Sequence, residues 1–274
     1  MNYIPKFLAN ELRRKMDLVR NPSVPEIIFK ADIWDICSLF CQRRTRKSIE
    51  TNAQIHSYRI EHPETIVPYS VPRTKRNIKR GIKDIRSAFE WGIKNFGPDG
   101  FNVIGEAFIK ELAGWILYER EGGAPYRNTG VTITGSRTTP PYPEKVITKE
   151  MPEFVDNLKR QFDLNADSSD IIHKLETSIY AHFHLARIHP FIDGNGRTSR
   201  LLQDILLTYY NIPVPIIEAG ERGTYYECLD RAVYDWKDRK GLGKSGASEG
   251  EQSFYKFMAG KINVSLDKLL NCIH

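Results

Sequence analysis

His189-Pro190-Phe191-Ile192-Asp193-Gly194-Asn195-Gly196-Arg197-Thr198-Ser199-Arg200 puts an imidazole, a carboxylate, two glycines and two arginines into twelve residues. Upstream, Ile171 to Ile188 reads as an amphipathic helix, with Ile172, Leu175, Ile179, Phe183 and Ala186 on one face. Pro190 halts that helix, since it lacks an N–H and disfavours helical geometry at His189. Downstream, Arg200 to Leu207 restarts a strongly apolar helix. The stretch is therefore a loop between two core helices, with its second half at a helix N-terminus.

Each part of the loop has a physical use. Gly194 and Gly196 let successive N–H groups point into one concavity. At a helix start those donors lack partners and the dipole adds positive potential, so an anion is favoured. Arg197 and Arg200, three apart, lie on neighbouring positions of one helical face and can grip further phosphate oxygens. Asp193 is a hard oxygen ligand suited to Mg²⁺ that also touches phosphates. His189 titrates near neutral pH and can accept a proton from a hydroxyl. Phe191 is the loop's anchor to the core. A lone histidine near a helix end is usually structural, and a lone Gly-x-Gly is usually a turn. Base, carboxylate, nest and paired arginines in a fixed order point instead to attack of a hydroxyl on phosphorus.

The stretch resembles, without a substitution, the signature of the Fic family, HPF-x-(D/E)-GNGR-x-x-R. Tyr126-Arg127, Val131 to Gly135 and Pro140 to Pro143 are similar to the family's flap hairpin, near residues 126–146. Glu221 to Leu229 is similar to its nucleotide-side helix, and Phe254 to Phe257 to its closing helix. The resemblance implies an all-α Fic fold, a helical bundle with a small β-hairpin flap, preceded by a helical region over 1–72. It also implies transfer of AMP from ATP to a Tyr, Ser or Thr of a target protein. Carried over by position, His189 would be the base and Asp193 the Mg²⁺ ligand. Gly194, Asn195, Gly196, Arg197 and Arg200 would hold the phosphates. Tyr226 would lie against the adenine, and the flap strand at Ile133, Thr134 and Gly135 would pair with the target. Val233 stands where similar proteins often have an asparagine near the base. Related kinases have lysine at the position of Gly196, so glycine here favours nucleotidyl transfer over phosphorylation.

Many Fic proteins carry an inhibitory helix of the form (S/T)-x-x-x-E-(G/N), whose glutamate pairs with the second motif arginine. Ser57-Tyr58-Arg59-Ile60-Glu61 matches all but the last position, where His62 stands. Ser245 to Gly250 matches every letter, but in a Gly/Ser stretch poor in helix propensity. A rigid helix must deliver the carboxylate, so Glu61, with Ser57, is favoured over Glu249. The ordinary reading of Glu61 is a helix glutamate facing water. In similar proteins such a glutamate can also orient a water that removes AMP.

Composition sets the outer limits. At 274 residues and 41% hydrophobic, the chain can bury a substantial core. It has no apolar run long enough to span a bilayer and no signal-peptide pattern, and Cys37, Cys41, Cys228 and Cys272 lack metal-site spacing. A cytoplasmic location is the default expectation. Seven basic residues and one acid lie between Val71 and Arg86, an excess equal to the +6 of the whole chain. Ile78, Ile82 and Ile85 are spaced as that helix's buried side, and no nucleic-acid motif accompanies it. A solvated helix face is expected, rather than a nucleic-acid site. Residues 73–274 would form the Fic domain, interrupted near 240–250 by a flexible Gly-rich insertion. A homodimer, another nucleotide donor, and an interaction protein with a silent site stay open.

Overall fold

The computed structural model describes residues 3–20, 31–61, 75–97, 103–118, 123–166 and 170–271. Its helices are α1 (Lys6–Arg20), α2 (Ala31–Glu61), α3 (Lys75–Phe96), α4 (Glu106–Tyr118), α5 (Met151–Ala166), α6 (Ile171–Ile188), α7 (Asn195–Tyr209), α8 (Arg222–Gly241) and α9 (Glu249–Leu270). A π-helical turn, Val146–Glu150, leads directly into α5, and a 3-10 turn, Ala219–Glu221, precedes α8. Among the described residues no helix is long and apolar enough to cross a membrane.

The α6–α7 pair is the wall of the molecule, because its two faces serve two cores. Ile172, Leu175, Ile179 and Phe183 of α6 pack with Leu8, Leu12 and Met16 of α1 and with Met258, Ile262 and Leu266 of α9. Ala181, Leu185 and Ile188 face the other way, with Leu112 of α4, Leu158 of α5 and Ile205 of α7. The periodicity of α6 marked the first face; the second makes the helix buried nearly all round. Because both faces are fixed, the loop at the end of α6 cannot shift without disturbing one core. The N-terminal helices share these cores with the rest. Ile49, Ala53 and Ile60 of α2 join the first and Tyr58 the second.

Some expectations change. Within the N-terminal helical region, Ala31–Glu61 is one continuous helix rather than several short ones. Helix α7 begins at Asn195 rather than Arg200. Gly194 caps it in a left-handed conformation (φ 75°), and both the N–H and the hydroxyl of Thr198 donate to its carbonyl. The polar first turn hid that start. No strand occurs among the described residues, so the flap is extended chain rather than a hairpin. Pro140, Pro141 and Pro143 lack donors for a ladder, and flap groups bond to α8 instead. Residues 242–248 simply join α8 to α9, ending in a capping box between Ser248 and Glu251. In α3, Ile85 is buried while Lys83 and Arg86 are exposed, which fits a solvated basic face. Arg73, Pro63, Pro68, Pro72, Gly122 and Cys272, with the side chains of Lys75, Arg76, Ile78, Lys79 and Cys37, lie outside the described residues.

Asp170 caps α6 by accepting from the Ile172 N–H at 3.0 Å, and it pairs with Arg13 of α1 at 2.8 Å. The Arg13 hydrogen bond holds the Asp170 carboxyl below the usual 3.8 despite partial burial. Asp170→Ala should lower stability at pH 7 by about 1–2 kcal/mol in urea denaturation, the usual cost of a lost cap. A carboxylate with a depressed folded pKa stabilises above its unfolded value and stops doing so as pH falls through the folded one. The difference between wild type and variant should therefore shrink below pH 3.8.

Candidate active site

His189 ends α6 in a left-handed conformation, φ 53° and ψ 57°, and its N–H donates to Leu185 O at 3.1 Å. Such backbone is costly for a non-glycine residue and persists only when its surroundings impose it. Two side chains do so. Arg127, only 3% exposed, donates Nε to the His189 carbonyl at 2.7 Å and Nη1 to Thr129 O at 3.0 Å, and its Nη2 reaches Pro141 O. Its backbone N–H also bonds Pro190 O at 2.9 Å. One arginine thus ties the loop to both arms of the flap. Asn195 closes the loop from inside: Oδ1 accepts from Phe191 N and Nδ2 donates to Phe191 O, both at 2.8 Å. The Asn195 side chain therefore binds the loop itself, leaving only its backbone for a phosphate. Phe191, fully buried in the second core, is the expected anchor in place.

Burial lowers the pKa of His189, and a hydrogen bond to the Ala186 backbone only partly offsets it. The ring is neutral at pH 7, with one nitrogen engaged at that backbone and the other left with a lone pair. Asp193 is exposed; Oδ1 accepts from Gly194 N at 2.6 Å and Oδ2 lies 3.3 Å from Arg197 Nη2. Among the described residues no cluster of three or more His, Cys, Asp or Glu could hold a metal by itself. A lone exposed carboxylate fits Mg²⁺ arriving with phosphates and its own waters, not an all-protein cage.

Arg200 is buried, and all three of its side-chain nitrogens are engaged. Nε donates to Ser57 Oγ at 2.9 Å, and Nη2 to Ser57 O at 3.1 Å and Glu61 Oε1 at 2.8 Å. Nη1 donates to Tyr225 Oη at 3.3 Å. Tyr225 meets His182 Nε2 at 2.8 Å, and His182 Nδ1 meets Gln203 Oε1 at 2.7 Å. With Arg200 donating to the phenol, its proton points to His182 Nε2, which puts the imidazole proton on Nδ1. Burial holds His182 neutral by pulling its pKa to about 3. His182, Tyr225 and Gln203 escaped the sequence reading, although polar residues on otherwise apolar helix faces were the signal. Burial alone would raise the Glu61 pKa, but the charge and hydrogen bond of Arg200 hold it below the usual range. Tyr226 adds a hydrogen bond to Glu61 Oε1 at 3.2 Å. Glu249 sits exposed in the first turn of α9, 3.3 Å from Arg231, and takes no part.

A cavity of about 750 Å³ unites the remaining residues: Glu61, Ile133 to Thr138 of the flap, His189, Gly196, and Tyr225, Tyr226 and Val233 of α8. Glu61 lines it and Arg200 does not. A Cβ on Gly196 would stand 2.2 Å from Glu61 Oε1, so glycine is what lets the carboxylate reach the helix N-terminus.

Residues 103–207 match the model of the Fic/DOC family. Over that span the chain is similar to the Fic family. It is 41% identical over 107 residues to protein adenylyltransferase Fic of Nematostella vectensis, covering 39% of this chain and 23% of that one. It is 38% identical over 112 residues to protein adenylyltransferase Fic of Drosophila grimshawi, covering 40% and 21%. The chain thus spans less than a quarter of the length of these relatives. The fold is similar to a Fic domain containing signaling protein from Bacteroides thetaiotaomicron (TM-score 0.66, 19% identity, 97% of both chains). It is also similar to Fic-1 from C. elegans (TM-score 0.66, 19% identity, 97% of this chain and 72% of that one). The loop from His189 to Asn195 needs its internal amide bridge. Asn195→Ala would leave the buried Phe191 N–H and carbonyl without partners. It should cost about 1–3 kcal/mol in chemical denaturation, the penalty for orphaned buried groups.

Proposed function

We propose that the chain transfers AMP from ATP to a Tyr, Ser or Thr hydroxyl of a target protein. The observation that carries this reading is the cavity, where a neutral imidazole, a glycine-rich helix N-terminus and the flap face one another. The N-terminus of α7 is suited to the α- and β-phosphates through the backbone of Gly194, Asn195 and Gly196. Arg197 and Arg200 serve the far phosphate end. Asp193 would hold Mg²⁺ at the exposed lip, and the bound ion neutralises phosphate charge. Tyr226 would lie against the adenine, with Leu229 and Val233 lining the same cleft. The acceptor hydroxyl attacks the α-phosphorus as His189 takes its proton at the lone-pair nitrogen. The bond from the α-phosphorus to the bridging oxygen breaks, and pyrophosphate leaves. His189→Ala should reduce AMP incorporation by about 10²–10⁴-fold, the usual worth of a general base. A chain acting only as a binding module would bind its partner unchanged after that substitution. Incorporation from α-labelled ATP, GTP, UTP and CTP distinguishes donors.

Glu61 is assigned the inhibitory role. It occupies Arg200, which would otherwise hold the terminal phosphate, and it stands in the cavity against Gly196. Glu61→Gly should raise self-AMPylation at least about tenfold, equivalent to relief of about 1.4 kcal/mol. A purely structural ion pair would give lower stability and no gain. One observation favours a second activity at the same site. Glu61 Oε1 takes both described hydrogen bonds, leaving Oε2 to orient a water for AMP removal. Release of AMP from the modified protein by wild type but not by Glu61→Gly would establish it.

The lowered His189 pKa also predicts a pH profile. The imidazole stays unprotonated until pH falls below the usual 6.5 of histidine, and only then loses its acceptor nitrogen. The acidic limb of kcat/KM, measured with Glu61→Gly, should therefore lie below pH 6.5.

A further inference from the structure

The flap turn is fastened to α8 by one carboxylate. Ser136 N donates to Ile133 O at 3.0 Å, closing a turn whose Gly135 has φ 82°. Asp230, its side chain 15% exposed, accepts at Oδ1 from Ser136 Oγ at 2.5 Å and from Arg137 N at 3.0 Å. Its Oδ2 accepts from Arg137 Nε at 2.7 Å. Ser136 Oγ in turn accepts from Thr138 N at 3.1 Å. Further along the same helix, the Arg137 guanidinium lies 5.7 Å from the Tyr234 ring, and Lys237 donates to Thr139 O.

Tyr226, Asp230, Tyr234 and Lys237 recur at helical spacing, so they form one stripe of α8. That stripe touches Glu61 at one end and the flap along the rest. Asp230 also lines the cavity with the flap residues it binds. Burial alone would raise its pKa, but Arg137 and Ser136 keep it ionised. A charged, mostly buried acceptor that takes a backbone N–H, a hydroxyl and a guanidinium is a strong local restraint.

We propose that Asp230 is a positioning residue for the transfer reaction: it clasps the flap turn to α8 and so fixes where an acceptor segment meets His189. This rests on the AMP-transfer reading above. Asp230 acts through Ser136 and Arg137, not by contact with the reacting atoms. A hydroxyl displaced from its line of attack reacts far more slowly than one held there.

Hydrogen exchange and nucleotide binding test the clasp together. Asp230→Ala should speed exchange of the Arg137 and Thr138 amides about tenfold, because both lose protection when the clasp opens. Asp230→Asn keeps the Oδ1 acceptor and should fall between, which covers a poorly folded alanine variant. In the Glu61→Gly background, Asp230→Ala should lower self-AMPylation about tenfold or more, as misplacement of a reactant does. ATP affinity by calorimetry should stay within about twofold, and adding Ser136→Ala with Arg137→Ala should cost nothing more, as expected for one coupled unit. Unchanged exchange, or an ATP affinity that falls as far as the transfer rate, overturns the clasp. If Glu61→Gly itself incorporates no AMP, the AMP-transfer reading fails instead, and the exchange rates still decide the clasp.

Discussion

A guanidinium buried between helices must find acceptors, and the structure is arranged around that demand at Arg200. Its partners come from two elements, Ser57 and Glu61 from α2 and Tyr225 from α8, with His182 of α6 and Gln203 of α7 completing the chain behind. Leaving such a charge uncompensated costs several kcal/mol, whereas satisfying it ties the N-terminal helix to the core. The C-terminal end of α2 is held by further bonds, from Arg222 Nε to Ile60 O at 2.7 Å and from Ala219 N to His56 Nδ1 at 3.1 Å. The position of Glu61 is thus set by a rigid helix end rather than by one flexible side chain.

The same economy governs the loop. Two cores hold α6 and α7, and the loop between them is closed by Asn195 within and Arg127 without. Neither residue needs to touch a nucleotide to matter. By holding carbonyls and amides in place, they fix the backbone that leads into α7. The flap gains order without a sheet, since its polar groups bond to Arg127 on one side and to α8 on the other.

Helix α8 links these parts. Tyr225 faces the buried network, and Tyr226 and Arg222 face Glu61 and the end of α2. Asp230 and Lys237 face the flap. A displacement of α8 would therefore be felt at both the Glu61 end and the flap end of the cavity.

Much of this was legible in the chain. The loop His189 to Arg200 carried its own chemistry, because twelve adjacent residues already fix the order of base, carboxylate, nest and arginines. The apolar face of α6 was visible in its spacing, and helix context singled out Glu61 over Glu249. The start of α7 was not, because buried polar residues such as Thr198 and Ser199 break the apolar pattern that marks a core helix. Nor were Tyr225 as a partner of Arg200 and Ser136 as a partner of Asp230, since a hydrogen bond across 25 or 94 residues leaves no local trace. Local order determined which groups the molecule owns and on which helix ends they lie. Only packing decided which of them meet, because burying a charge selects its partner by distance in space and not along the chain.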